Sequence, residues 1–309
     1  MTEKSNAEIH DEVSRSYERA LGRTLAPTAP GASACCTPTC CSPQETTTKP
    51  AGNAAKLVDY QADVADLPEQ ALGSSFGCGN PLAFSEVEPG QTVVDLGSGA
   101  GLDLLIASGK VGDHGRVIGI DMTDAMIDEA RRNVDRAGVG NVEVRKGIIE
   151  QLPLDDRSAD WVISNCVINL SPDKEAVFRE LARALKPGGR ISISDIVVEQ
   201  LPEELRRHAA VRSACIGGAI SEREYVAGLE AAGLVDVKVV ERFVYDEEQL
   251  LGIVSLSEES TREQDDDGVS QEVIRDAARR VVGKVWSAKF QGTKRTGPGS
   301  DSPAGPRAS

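Results

Sequence analysis

Between residues 92 and 244, short runs of apolar and β-branched residues alternate with segments in which apolar positions return every three or four residues. Strands buried on both faces and the amphipathic helices between them produce this pattern. The runs predict strands over 92–96, 115–120, 142–145, 160–164 and 190–196. The helical segments are 102–108, 123–137 with Thr123 as N-cap, and one capped by Ser171 with Pro172 in its first turn that ends before Gly188 and Gly189. A helix over 202–212 follows, then one over 222–232 whose Ser221 and Glu224 form a capping box. Residues 235–244 alternate as a sixth strand, and 284–294, with Trp286, Ala288 and Phe290 on one face, read as a final antiparallel strand. Upstream, Ile9, Val13, Tyr17, Ala20 and Leu21 mark an amphipathic helix over 7–21 that suggests no chemistry, and 57–72 hold one or two short helices broken at Pro68. The order predicts an α/β fold, a doubly wound Rossmann-like sheet whose ligands lie at the carboxyl ends of the strands. Asp95, Asp121 and Asn165 fall at such ends.

The first strand breaks into TVVDLGSGAG, with Gly97, Gly99 and Gly101 around Ser98. Alternate glycines at a strand-to-helix turn admit unusual backbone angles and let a ligand approach main-chain N–H groups at a helix N-terminus, so a nucleotide-like ligand is expected. The dinucleotide fingerprint would need a third glycine where Leu102 stands, and Asp121, followed by Met122, is placed to accept from both ribose hydroxyls. This puts S-adenosylmethionine ahead of NAD without excluding the latter.

A chain of 309 residues, 40% apolar and poor in aromatics, suits one α/β domain with extensions. Its net charge of −15 repels phosphate backbones and anionic lipid, which argues against nucleic-acid and membrane partners and for a small substrate. No apolar run approaches membrane-spanning length and the polar start MTEKSNAEIHDE lacks a signal-peptide core, so a cytoplasmic location is expected.

Seven cysteines in such a compartment are read as packing, metal-ligand or redox thiols rather than as a disulfide framework. Cys35, Cys36, Cys40 and Cys41 sit in a Pro/Thr/Ser-rich loop expected to be exposed and reactive, without the paired C-x2-C spacing of structural zinc sites. Cys78 lies in a turn between Gly77 and Gly79, Cys166 directly follows the fourth strand, and Cys215 precedes Gly217 and Gly218 in what reads as an exposed turn. Thiolates select soft, thiophilic centres. His10, His114 and His208 show no metal-ligand spacing, no structural metal is expected, and no general base is evident. Methyl transfer to oxygen or nitrogen is helped by a base, whereas arsenic(III), bound by sulfur and carrying its own lone pair, has no proton to lose.

GCGNP around Cys78, DLGSGAG, SNCVINLSPDK around Cys166 and CIGGA around Cys215 resemble the arsenite methyltransferase family, over about residues 57–241. The resemblance implies a class I methyltransferase fold, S-adenosylmethionine as methyl donor, arsenite and methylarsenite as substrates, and arsenic ligands at Cys78, Cys166 and Cys215. It also implies a redox thiol nearer the N-terminus, taken as Cys35 or Cys36, reduced by thioredoxin or another dithiol. Where many relatives of the fold carry G-D-A-E, this chain has Gly147, Ile148, Ile149 and Glu150, so adenine must be held by backbone groups and apolar faces there. The candidate cofactor residues are therefore Asp95, Gly97, Ser98, Gly99, Gly101, Asp121, Met122, Gly147, Ile148, Ile149, Glu150 and Asn165.

The division expected is a thiol-rich extension (1–54), a cofactor-binding domain (55–200), a C-terminal α+β part completing the sheet and the arsenic site (201–294), and a disordered tail (295–309), with a solvated acidic loop near 258–268. Two other readings stand beside arsenite methylation: a quinone, sterol or natural-product methyltransferase with incidental cysteines, and a metalloid-sensing protein without turnover. The intact glycine loop disfavours the second of these, and the missing base and scarce aromatics the first.

Overall fold

In a computed structural model of the chain, residues 5–24, 81–82, 86–199, 201, 215–250, 276 and 279–296 are described. The expected helices over 57–72 and 202–212, the four-cysteine loop, Cys78, the acidic loop and the tail beyond residue 296 lie outside these residues.

Seven strands form one sheet in the order β3-β2-β1-β4-β5-β7-β6. They are β1 (Thr92–Leu96), β2 (Arg116–Asp121), β3 (Val142–Lys146), β4 (Ala159–Asn165), β5 (Leu185–Val198), β6 (Leu234–Val244) and β7 (Val285–Lys294). The first five pair in parallel, and β7 runs antiparallel between β5 and β6. The strand order reverses between β1 and β4, and a reversal of this kind opens a crevice at the carboxyl edge of the sheet.

Successive side chains point to opposite faces, and both faces are covered. Val93, Val117, Trp161 and Ile163 pack under α2 (Leu102–Val111) and α3 (Asp124–Ala137). Val94, Leu96, Ile118, Ile120 and Val162 pack under α4 (Lys174–Ala184) and α5 (Glu222–Ala231). There Tyr225 stacks on Phe290 of β7 at 4.2 Å between ring centres. The N-terminal helix α1 (Asn6–Thr24) docks through Leu21 on Ala100 of the glycine loop and Met126 of α3.

Two expectations of the sequence are corrected. Asp173, not Ser171, caps α4, accepting from the Ala176 N–H at 2.9 Å. The Ser171 hydroxyl is engaged elsewhere: it donates to Glu150 and accepts from the Asp173 N–H. The fifth strand begins at Leu185 rather than at Arg190, directly after the helix ends at Ala184, because Leu185 pairs with Ala159.

Candidate active site

The glycine loop takes the conformation its composition allows. Gly97, Gly99 and Gly101 have φ of 65°, 51° and 90°, angles that cost an L-residue about 1–2 kcal/mol. A side chain at Gly97 would start 2.3 Å from a methyl of Val167, so glycine is required there for space as well as for angle. The Ser98 N–H donates to the Ile120 carbonyl, and the buried Asn133 amide donates to the Ala100 carbonyl at 2.9 Å, which braces the loop from α3. Asp121, the last residue of β2, accepts from the Gly99 N–H at 3.0 Å and the Thr123 N–H at 2.8 Å.

A cleft of about 950 Å³, counting the open solvent at its mouth, lies beside this loop. Gly97, Ser98, Gly99, Gly101, Asp121, Met122, Gly147, Ile148, Ile149, Glu150, Asn165 and Cys166 all contribute to its wall. Asp95 does not; it is buried behind the wall, where burial first, and then the charges of Asp103 and Asp121, push its carboxyl well above the usual range. Burial raises Asp121 too, against the N–H bonds that lower it.

His10, Val13 and Tyr17 of α1 also line the wall, although no chemistry was expected of that helix. His10 Nε2 lies 2.9 Å from Glu150 Oε1, the oxygen that also accepts from Ser171 at 2.5 Å. The apolar face of α1, legible in the sequence, cannot tell a helix lying on a core from one lying across a cleft.

The wall fits S-adenosylmethionine on three counts. Among the described residues it presents the carboxylates of Asp103, Asp121 and Glu150 and neither lysine nor arginine, a field suited to a cation such as a sulfonium or an ammonium. The buried Ser98 hydroxyl has no hydrogen-bond partner among the described residues, so a ligand atom can satisfy it. Among the described residues, no atom beyond the chain neighbours lies within 4 Å of where a side chain at Gly99 would begin, which leaves room beside that backbone.

Cys166 follows β4 at φ 58° and Cys215 begins the turn before α5 at φ 63°, and these are two of four non-glycine residues with positive φ among the described residues. Side chains held in that region are concentrated at functional sites. The Cys215 thiol donates to the Cys166 carbonyl at 2.8 Å and sits 3.8 Å from the Tyr17 hydroxyl. Contrary to the exposed turn expected, Cys215 is buried, because this contact and Ile216 fold the turn inward. Also contrary to expectation, Cys166 is disulfide-bonded, with its partner outside the described residues. Thiols close enough to share a soft ligand are close enough to oxidise. Among the described residues no group of three or more His, Cys, Asp or Glu side chains is arranged for a metal.

Behind the cysteines, Asp195 accepts from the Asn169 N–H and side-chain amide, the Ile196 N–H and the Tyr225 hydroxyl. Burial raises its carboxyl to about 7, against the lowering effects of those donors and of Lys174. Gly218 must be glycine, since a side chain there would start 2.0 Å from the Asn169 carbonyl.

A methyltransferase domain model matches residues 87–233. The chain is 42% identical over 201 residues to the arsenite methyltransferase of Halobacterium salinarum, covering 65% of this chain and 50% of that protein. It is 40% identical over 174 residues to that of Aquipseudomonas alcaligenes, covering 54% and 50%. The chain thus spans about half the length of the curated relatives it matches. The X-ray structure of an arsenic(III) S-adenosylmethionine methyltransferase from Chlamydomonas reinhardtii superposes with a TM-score of 0.60 at 32% identity, covering 77% of this chain and 74% of that one. With fold and sequence agreeing over about three quarters of that relative, the chain belongs to the arsenite methyltransferase family.

Proposed function

We propose that this chain transfers a methyl group from S-adenosylmethionine to trivalent arsenic held by Cys166, Cys215 and Cys78, with methylarsenite as a further substrate. The observation that carries the reading is the pair of cysteines in left-handed backbone beside the cleft, the Cys215 thiol lying 2.8 Å from the Cys166 carbonyl. S-adenosylmethionine, when bound, supplies an electrophilic methyl group on a positively charged sulfur. The loop Gly97–Ser98–Gly99 and Asp121 orient the nucleoside, Glu150 with Ile148 and Ile149 border its base, and Asn165 stands at the mouth of β4 toward the thiols. The cysteines fix arsenic so that its lone pair faces the methyl carbon, and no side chain need remove a proton, so the protein contributes chiefly proximity and orientation.

Arsenic spends its lone pair on the new As–C bond, and two electrons must return before it is trivalent again. Two thiolates supply them by closing to a disulfide, and Cys35 or Cys36 with thioredoxin or another dithiol reopens it. This cycle suits the cytoplasm, where such reductants are held. In this reading residues 55–200 hold the cofactor and 201–294 bring Cys215 to it, and the extension 1–54 carries the redox thiols.

The test is arsenite binding and methylation by the reduced chain. Mole-for-mole binding and S-adenosylmethionine-dependent methylarsenic product are expected, with both lost in Cys215→Ser while the fold and cofactor affinity persist, because a hydroxyl is a poor arsenic ligand. Wild-type turnover in Cys215→Ser would end the reading and favour a methyltransferase for a carbon, nitrogen or oxygen centre.

A further inference from the structure

The helix α1 lies outside the 87–233 segment that matches the methyltransferase domain, yet it reaches both halves of the site. Tyr17 forms part of the cleft wall, and its hydroxyl is 3.8 Å from Cys215 sulfur. Because the Cys215 S–H is directed to the Cys166 carbonyl, the sulfur has lone pairs to offer and the Tyr17 hydroxyl is the donor. The phenol stays protonated: burial raises it first, then Cys215, Asp121 and Asp195. The helix is held in place on either side of Tyr17, at His10 by Glu150, at Ser14 by the Thr123 hydroxyl at 3.3 Å, and at Leu21 by Ala100 and Met126. His10, Ser14, Tyr17 and Leu21 recur at helical spacing, so one face of α1 carries all four contacts.

We propose that Tyr17 is a positioning residue that ties Cys215 to occupancy of the cofactor cleft, its ring meeting the ligand and its hydroxyl holding the sulfur. Cys215 does not line the cleft itself, so Tyr17 is a direct route by which a ligand there adjusts this thiol. The inference rests on the cleft being the S-adenosylmethionine site and on Cys215 being a substrate ligand. It assigns a role in that chemistry to a residue of α1 for which no role was expected.

The experiment uses the full, reduced chain labelled with [β-13C]cysteine, the Cys215 signal being identified by its loss in Cys215→Ser. S-adenosylhomocysteine is titrated into the wild type and Tyr17→Phe. In the wild type the Cys215 signal moves with saturation of the cleft. In Tyr17→Phe it no longer follows, while the Kd stays within about two-fold, since only the hydroxyl engaged with Cys215 is removed. With arsenite, kcat of Tyr17→Phe falls about ten-fold, the scale of one hydrogen bond, at an unchanged KM for S-adenosylmethionine. Tyr17→Leu, which removes the ring as well, raises that Kd. A Cys215 signal that follows ligand equally in Tyr17→Phe, or never follows it in the wild type, overturns the proposal. So does a loss of affinity in Tyr17→Phe that matches the loss of kcat. If the spectral coupling is found but neither form methylates arsenite, the coupling stands and the arsenite reading fails.

Discussion

Gly97 and Gly99 share a loop and a positive φ but differ in what surrounds them. Alanine at Gly97 would bear both the left-handed backbone and a collision with Val167. The expected loss of stability is about 2–4 kcal/mol, the sum of backbone and overpacking costs. Alanine at Gly99 meets no atom within 4 Å among the described residues beyond its chain neighbours, so the backbone cost of about 1–2 kcal/mol applies, and its methyl competes with whatever occupies the cleft. Urea unfolding and calorimetry with S-adenosylhomocysteine separate the two: Gly97→Ala should be hurt most in folding, Gly99→Ala most in binding. Equal stability of the two variants would contradict this account. Asp121→Ala should cost about 1.5–3 kcal/mol of cofactor affinity through lost charge-assisted hydrogen bonds, and calorimetry showing unchanged affinity would remove it from the site.

At the scale of elements, α1 and the start of α4 show how local rules and tertiary contacts divide the control. Asp173 caps α4, so Asp173→Ala should lower stability by about 1 kcal/mol through loss of the N-cap bond. Ser171→Ala should leave the helix intact and instead loosen Glu150, which accepts from Ser171 and pairs with His10. The docking of α1 depends on buried Leu21. Leu21→Ala should therefore speed amide exchange over residues 6–22 by about ten-fold or more while β1 to β5 stay protected. Exchange that rises equally in the sheet would show that α1 and the core unfold as one unit.

For the whole molecule, the buried Asp195 sets a pH dependence. Its folded value of about 7 lies above the ordinary 3.8, so the native state binds this proton more tightly than the unfolded chain does. Its contribution is fully present below about pH 4 and is lost as pH rises through about 7, by a few kcal/mol at most. Glu143 acts in the opposite sense, held at about 2 by Arg145 and Arg116, but it is largely exposed and contributes little. Asp195→Asn should flatten the fall in stability between pH 5 and 8, and urea midpoints at those two values decide the matter. An equally steep fall in the variant would assign the slope to other groups.

The chain alone determined the alternation of strands and helices, the glycine loop, Asp121 at the end of β2 and the cysteine that follows β4. These features depend on contacts between neighbours in sequence: side-chain periodicity, capping and the angles only glycine adopts freely. Local spacing could not show that the Ser171 hydroxyl would go to Glu150 rather than to a helix end, because that choice depends on a partner 21 residues away. Nor could it show that Cys215 turns inward or that α1 lies across the cleft. His10 and Glu150 are 140 positions apart and Tyr17 and Cys215 are 198 apart, and only the folded sheet brings each pair together. The tertiary structure decided those contacts because burying the apolar face of α1 on Ala100 and Met126 carries its polar residues to whatever lies beside them.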